Sequence, residues 1–363
     1  MSSAIGPSSY GTLDRMLASA GVLRDQYATL QQQTTTGLVS QSYAGVAGVS
    51  SQVLDLTAAS SQNAAYTLSI AHAQGKASVM QSALSQLGSL VSSMASSALS
   101  ATSSPAPDAV SAMAQQAGQA LSQLVSVLNT TYGGDYVFSG ADTSNPPVPS
   151  PDGVTSSGMF TQIGAAMSTL STIPSTAPVG TVVAATVSAA ASTAAGTTIF
   201  SSYLTGPGAT AATTRVQIGP SESVTLDLPA NRNVGAVSDP SINGTGSAIS
   251  DIVRSLAVMA NSTTAMANNP DFRTLMQNAA TTLSSAGATL AQESGQIGQT
   301  QNAMTAATAA HASMQTLLTS QLTDLTNVDM ATTISHLQAV NTQLQASYKV
   351  LGEVSSLNLA SFL

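Results

Sequence analysis

The sequence predicts a mainly α-helical protein. Both termini are expected to build a long antiparallel coiled coil or helical bundle, and a β-containing insert is expected to form a small α+β head. Apolar residues recur every seven positions through the last third of the chain, a period that keeps one side of a helix against a partner. The first third carries similar apolar seams, and the middle is rich in Gly, Pro and β-branched residues.

The C-terminal ladders are the strongest signal. No proline follows Pro270, so the sequence allows one very long helix or two helices joined end to end. A first ladder ends at Leu325, and a second begins out of phase at Met330. The members are Leu283, Leu290, Ile297, Met304, His311, Leu318 and Leu325, then Met330, Leu337, Leu344 and Leu351.

The N-terminal third contains the matching half. Residues 8–36 are expected to form a helix with Met16, Leu23 and Leu30 on one side and a stop at Gly37. A longer helix is expected over residues 51–101. Its seam comprises Met80, Leu84, Leu87, Val91, Met94 and Ala98.

A third helix is expected to follow the break at Pro105 and Pro107, with Asp108 as its N-cap and its end near Asn129. The next segment, 131–148, carries the most specific local sequence. Gly133 and Gly134 can turn the chain through positive φ, and residues 136–138 are expected to be extended. Prolines at 146, 147, 149 and 151 then predict a domain boundary near residues 140–153.

The middle of the chain has a different texture. A short helix is expected within 159–173, and strands are expected over 199–204, 213–218 and 223–228. Residues 219–222, Gly-Pro-Ser-Glu, would join the last two strands. Helix is expected to resume near residue 248 and again at Pro270, which a first helical turn tolerates.

The composition excludes some classes of partner. Charged residues make up 7% of the 363 residues, against roughly a quarter in an ordinary globular protein. Eight Lys plus Arg and a net charge of −8 argue against nucleic acid binding. A Gln-, Ser- and Ala-rich helix surface is inexpensive to bury, so we expect neighbouring proteins to cover it. A general bias of the proteome toward these residues is the alternative.

No secretory leader or membrane span is expected. The N-terminus has neither a basic region nor a long apolar one, and no run of about 18 apolar residues occurs. Cysteine is absent, which excludes disulfides and thiolate sites.

Catalytic, cofactor and metal sites are not expected. His72, His311 and His336 are too scattered for a metal site, and His311 is expected to be a packing or hydrogen-bonding residue of the ladder. The spacing of the aspartates fits no calcium loop, so turn capping is their expected role. These aspartates are Asp135, Asp142 and Asp152. The glycosylation triplets at Asn129, Asn243 and Asn261 are expected by chance in so Ser/Thr-rich a chain.

The order of these elements resembles the bacterial flagellin family, in particular its hook-associated protein 3 branch, the hook–filament junction proteins. Residues 136–148, Tyr-Val-Phe-Ser-Gly-Ala-Asp-Thr-Ser-Asn-Pro-Pro-Val, are similar to that branch's Tyr-Leu-Phe-Ser-Gly segment and its following Pro-Pro. Residues 215–220, 328–331, 347–351 and the closing 357–363 also fit. Filament flagellins usually carry a basic residue and an acidic pair where this chain has Val39 and residues 42–48.

The resemblance implies a structural subunit of the bacterial flagellum that links hook to filament. It implies three parts: axial coiled-coil segments (1–38 and 326–363), a long-helix bundle (39–140 and 248–325), and a variable β-rich outer domain (141–247). Subunit packing is expected at Met16, Leu23, Leu30, Leu318, Leu325, Met330, Leu337, Leu344 and Leu351. The family segment at the domain boundary comprises Tyr136, Phe138, Gly140, Pro146 and Pro147.

The resemblance also implies partners and a location. The expected partners are other copies of the chain, the hook-side junction protein, flagellin and an export chaperone, without nucleic acid or membrane. The expected location is extracellular, reached by flagellar type III export. A filament flagellin is the alternative within the family. A secreted coiled-coil translocator acting on membranes is the alternative from another class, although the scarcity of Lys and Arg disfavours it.

Overall fold

The computed structural model describes residues 8–42, 45, 47–103, 106–149, 153–234, 236 and 244–360. Asp152, Asn243 and residues 361–363, on which some of the expectations fall, lie outside the described residues. The described chain is mainly helical with two small sheets, which confirms the predicted fold class.

Long helices occupy both ends of the chain. The N-terminal set is α1 (Ser8–Thr36), α2 (Ser50–Ser103) and α3 (Pro107–Leu128). Shorter helices follow as α4 (Gly153–Ser156), α5 (Gly158–Ser168), α6 (Val179–Ala190), α7 (Ser202–Thr205) and α8 (Ala248–Ala260). The C-terminal set is α9 (Pro270–Thr326) and α10 (Met330–Ala360). The break between α9 and α10 falls where the apolar ladder changes phase.

Each sheet is one antiparallel hairpin. β1 (Thr131–Tyr132) pairs with β2 (Asp135–Tyr136), and the turn between them has positive φ at Gly133 (63°) and Gly134 (97°), as expected. β3 (Arg215–Gln217) pairs with β4 (Ser223–Thr225), with Val216 opposite Val224.

The chain divides into two compact units. The terminal unit comprises Met1–Ala64 with His311–Leu363, and the core unit comprises Ala65–Ala310. The dividing points fall inside α2 and α9. The three-part division into axial, bundle and outer segments concerns the assembled state and stays a prediction.

The core unit has an extensive apolar interior. The predicted seam of α2 is buried from Met80 to Ala98, and the ladder of α9 is buried from Leu283 to Met304. The helix α8 is buried at every position from Ala248 to Met259, and it packs against α3, α5 and α6. The seven-residue spacing therefore identified the buried sides of both long helices.

Buried charges also lie in the core unit. Arg254 is 3% exposed and Asp251 is 4% exposed, with 3.9 Å between the Arg254 Nε and Asp251 Oδ1 atoms. Arg254 also donates to Thr282 Oγ1 over 3.1 Å. Burial raises the pKa of Asp251, although a hydrogen bond from the Thr245 N–H and the charge of Arg254 oppose the shift. Burial lowers the pKa of Arg254.

The insert has less β-structure than expected. Of the three strands expected within 199–228, only the last two form, as β3 and β4. The segment 199–204 instead ends in the helical turn α7, because Ser201 Oγ accepts a hydrogen bond from the Leu204 N–H and caps that turn. The rest of the described insert consists of short helices and of turns and irregular segments, so the expectation of a β-rich 141–247 segment is wrong in its strand content.

Two local expectations also need correction. Asp108 is not the N-cap of α3: Ala106 occupies that position, Pro107 begins the helix, and Asp108 lies in the first turn. Residues 137 and 138 are not in a strand, because pairing across the tight Gly133–Gly134 turn ends at Tyr136.

Candidate functional site: the paired terminal helices

The helices α1 and α10 pack against each other in antiparallel directions. Met16, near the start of α1, borders one cavity together with Leu351 of α10. Leu30, near the end of α1, borders another with Val340 and His336. Leu23 and Leu344, midway between these positions, are both half-buried.

The contacting sides follow a coiled-coil period. On α1, residues 20, 23, 27, 30 and 34 are buried or half-buried. On α10 the corresponding residues are 333, 337, 340, 344, 347 and 351. Alternating steps of three and four residues are the signature of a heptad seam. The second ladder of the sequence therefore lies along the contact with α1 from Leu337 to Leu351, whereas its first member, Met330, is exposed.

The other sides of these helices expose apolar residues. Leu17 is 54% exposed, Val22 is 57% exposed and Tyr348 is 52% exposed. Ten of the thirteen exposed large hydrophobic side chains of the described chain belong to the terminal unit, although it is the smaller unit. Exposed apolar surface of this extent is typical of a protein–protein contact.

The interior of the terminal unit is thin. Among its described residues, the buried apolar side chains are Ala20, Val53 and Leu318. Most helical stability in proteins comes from the packing of an apolar side rather than from helix propensity, so packing must supply most of the stability of these helices. An interior this small leaves the terminal unit dependent on additional contacts.

A short backbone bridge joins the two helix breaks of the terminal unit. The Val39 N–H donates to the Thr326 carbonyl over 2.7 Å, and the Val328 N–H donates to the Gly37 carbonyl over 2.9 Å. Gly37 ends α1 with φ of 73°, the left-handed conformation expected of a helix stop. The end of α1 and the α9–α10 junction are thereby held together.

Asp329 caps the start of α10. Its Oδ1 atom accepts hydrogen bonds from the Ala331 N–H over 2.9 Å and the Thr332 N–H over 3.2 Å. Hydrogen bonds from the Thr332 N–H and hydroxyl and from the Ala331 N–H lower the pKa of Asp329. This side chain was not singled out from the sequence, although an aspartate before an apolar ladder is a recognisable cap signal.

A polar cluster connects α2 with α9 inside the terminal unit. His311 Nδ1 lies 2.6 Å from Asn63 Oδ1, and Asn63 Nδ2 donates to the His311 carbonyl over 2.9 Å. Asn63 Nδ2 also contacts Gln315 Oε1 at 3.1 Å, and Gln315 Nε2 donates to Ser60 Oγ over 2.8 Å. His311 is therefore a hydrogen-bonding residue of the ladder, as expected, but its partners were missed.

The residues expected at subunit contacts differ in exposure. Met16 is 37% exposed and Met330 is 41% exposed, Leu318 is buried, and the others are half-buried. The half-buried set is Leu23, Leu30, Leu325, Leu337, Leu344 and Leu351. Their role between subunits stays a prediction.

The family segment at the domain boundary is an internal structural element. Phe138, Gly140 and Pro147 are buried, and Tyr136 and Pro146 are half-buried. The Phe138 carbonyl accepts from the Ala230 N–H over 2.9 Å, and the Pro147 carbonyl accepts from the Ser201 N–H over 2.8 Å. Gly140 has φ of 69° and lies close to Tyr203, Leu204 and Pro229. These bonds tie the segment to the insert.

The remaining candidate residues have local roles. Asn129 is bonded to both the N–H and the carbonyl of Val148, and Asp142 accepts from Asn145. His72 contacts the edge of the Tyr132 ring at 5.2 Å between ring centroids. In the described part of the chain, no three His, Cys, Asp or Glu side chains converge as metal ligands would. None of the helices described is both long and apolar enough to cross a membrane.

Two protein-family models match the chain. Residues 14–143 match the bacterial flagellin N-terminal helical region, and residues 280–363 match the bacterial flagellin C-terminal helical region. The two matches together cover more than half of the sequence and include most of α1 and α9 and all of α10. The chain belongs to the flagellin family. The resemblance to the flagellin family that the order of the elements indicated is thus confirmed.

A solved flagellin-like structure shares the fold. It is a chain from Vibrio parahaemolyticus described as a flagellar hook-associated protein, with 15% identity and a TM-score of 0.50. The similarity covers 76% of this chain and 96% of the Vibrio chain. At this identity the comparison establishes the architecture alone. No curated protein sequence matches the chain.

Proposed function

We propose that this protein is the hook–filament junction subunit of a bacterial flagellum. Membership of the flagellin family makes it a structural component of the flagellum. The proposal adds its place there: a ring of identical copies between the hook and the filament, with the paired termini toward the axis and the insert directed outward.

The observation that carries an assembly role is the contrast within the terminal unit. This unit buries few apolar side chains, yet it contains most of the large hydrophobic side chains that the described chain exposes to solvent. A domain that is stable by itself shows the opposite distribution. Neighbouring subunits would cover Leu17, Val22 and Tyr348. Burying a leucine-sized side chain fully contributes about 1.5–3 kcal/mol, so a few such contacts per subunit would stabilise the paired helices on assembly.

Three observations favour the junction over the filament. The boundary segment from Tyr136 to Val148 is similar to the junction branch, and the Vibrio chain of similar fold is described as hook-associated. The connector after Gly37 also lacks the charged residues usual in filament flagellins.

The proposed partners follow from this position. One side of the ring would contact the hook-side junction protein, and the other would contact flagellin. We further propose export through the flagellar type III apparatus with help from a chaperone that covers the exposed apolar helices, and an extracellular location. No enzymatic activity is part of this role.

Deletion of the gene distinguishes junction from filament. Without the junction subunit, cells should keep their hooks and release full-length flagellin into the medium, and a plasmid copy should restore filaments. Hooks without filaments and without released flagellin would instead identify a filament subunit. Normal swimming and normal filaments in the deletion strain would contradict both roles.

A further inference from the structure

The seam between α2 and α9 in the terminal unit contains a polar layer, defined here as Ser60, Asn63, His311 and Gln315. Asn63 and His311 occupy heptad positions, since Leu56 lies seven residues before Asn63 and Leu318 lies seven after His311. Asn63 is 6% exposed, and the other three are half-buried. Apolar positions therefore flank a hydrogen-bonded layer in both helices.

Each hydrogen bond of the layer joins a residue of α2 to a residue of α9. Asn63 uses its amide nitrogen toward the His311 carbonyl and Gln315 Oε1, so its Oδ1 atom accepts from the imidazole N–H at Nδ1. Gln315 then donates to Ser60. The pattern also fixes direction: Ser60 precedes Asn63, whereas its partner Gln315 follows His311, so the helices must be antiparallel.

Charged side chains cannot direct this pairing. In coiled coils, complementary charges beside the seam usually set partner choice and orientation. Within the terminal unit, α2 carries only Asp55 and α9 carries only Asp324 among Asp, Glu, Lys and Arg, and both are acidic. Among the described residues, no ion pair joins the two helices.

We propose that the polar layer selects the pairing of α2 with α9 within one chain, in place of the missing charges. An apolar seam alone would also accept the same helix from a second copy. Pairing α9 with α9, or α2 with α2, removes the Asn63–His311 bonds and leaves buried polar groups without their partners. A single buried polar residue is known to specify coiled-coil register and oligomer state at some expense in stability, and polar residues in the seam also contribute to the choice of partner.

This inference concerns pairing within the chain and does not depend on whether the subunit serves the junction or the filament. It assigns to Asn63 and His311 a selective function rather than a stabilising one. Leucine at both positions should therefore keep or raise stability while relaxing the choice of partner.

The absence of cysteine allows a direct test on the full chain. The antiparallel register that places Asn63 opposite His311 also places Leu56 opposite Leu318, seven residues away on each helix, so Leu56→Cys and Leu318→Cys are introduced together. Mild oxidation then gives an intrachain disulfide for α2–α9 pairing and an interchain disulfide for like-with-like pairing. Trimethylamine N-oxide is included because it favours the folded helices. Non-reducing electrophoresis and mass spectrometry measure the ratio of the two products.

The intrachain product should dominate with the natural layer. In the Asn63→Leu, His311→Leu variant, the interchain share should rise about tenfold, since each unsatisfied polar group costs about 1–3 kcal/mol in a wrong pairing. Exchange of the partners, Asn63→His with His311→Asn, should restore the natural ratio.

A matched control distinguishes loss of pairing selectivity from nonspecific association caused by added apolar surface. Ser61→Leu with Gln321→Leu adds two leucines at exposed positions of the same helices and should leave the product ratio unchanged. If the double-leucine variant loses helical circular dichroism, Ser60→Ala with Gln315→Leu removes both bonds of Gln315, to Ser60 and to Asn63, but keeps the Asn63–His311 bonds, and should raise the interchain share less. An unchanged ratio in a folded layer variant, or an equal rise in the control, would overturn the proposal.

Discussion

The Val39 N–H and the Thr326 carbonyl oxygen are hydrogen-bonded over 2.7 Å, across 287 residues of sequence. Thr326 is the last residue of α9, and Val39 follows the end of α1. With the reciprocal bond from Val328 to Gly37, this contact fixes where two chain breaks meet. The geometry of the α1–α10 pair therefore depends on backbone contacts that tolerate little change at Gly37.

Replacement of Gly37 by alanine should destabilise the terminal unit by about 1 kcal/mol, because a Cβ atom is unfavourable at φ of 73°. Gly21 is the matched control. It lies within α1 with open space around it, so Gly21→Ala should stabilise the helix by about 0.5–1 kcal/mol. Amide hydrogen exchange at Val39 and Val328 reports the difference. Equal protection in both variants would show that the bridge does not require glycine.

Replacement of Leu344 by aspartate should abolish assembly while the core unit stays folded. Leu344 lies on the half-buried side of α10 that faces α1. Replacing it by a carboxylate would destabilise the α1–α10 contact by about 2–3 kcal/mol, because apolar packing is lost and the charge is partly desolvated. Gln343→Asp places the same charge on the exposed side and should still assemble. Incorporation into flagella is measured by immunoblot of purified hook–filament preparations. Normal incorporation of the Leu344 variant would argue against the terminal pair as the assembly element.

Acid should loosen the start of α10. Because hydrogen bonds from Thr332 and Ala331 hold the pKa of Asp329 below its ordinary value of 3.8, the ionised carboxylate stabilises the folded form. That contribution is present above pH 3.8 and is lost as the pH falls through the lowered folded pKa.

The change at Asp329 can be followed by amide exchange at Thr332 as a function of pH. Asp329→Asn keeps an accepting oxygen but cannot ionise, so its cap should show no such acid transition. A transition of the same size in both proteins would assign it to another group.

The Asp251–Arg254 pair should behave as a unit. Asp251→Leu or Arg254→Met alone would leave a buried charge without its counterion and should lower the free energy of unfolding by about 3 kcal/mol. The double replacement removes both charges and should recover most of that loss. Urea unfolding of the four proteins measures the coupling. Additive losses in the double variant would show that the two charges do not stabilise each other.

The parts of the fold with a local signal were predictable. The helix expected over residues 8–36 is observed as Ser8–Thr36. Both signals that predicted it, the helical spacing of apolar residues and the glycine after its last turn, lie within the segment itself. The phase change near Met330 likewise marked the break before α10. These features depend on neighbours a few residues away.

Features set by distant contacts were not predictable. The α6 segment is rich in valine and threonine, yet it is helical and packs on α5 and α8, where tertiary packing overrides its preference for strands. Asn63 gave no signal in a polar stretch, since its partner His311 lies 248 residues away. The sequence located the ladder that contains His311 but not the layer that completes it.

The near-absence of charge along the terminal seams determines how the protein responds to its surroundings. Dissolved ions screen attraction between charged groups, whereas apolar packing and amide hydrogen bonds are largely indifferent to them. Contacts built in this manner should be about equally stable at low and at high salt concentration, so a flagellum that contains this subunit should tolerate a change from fresh water to brine.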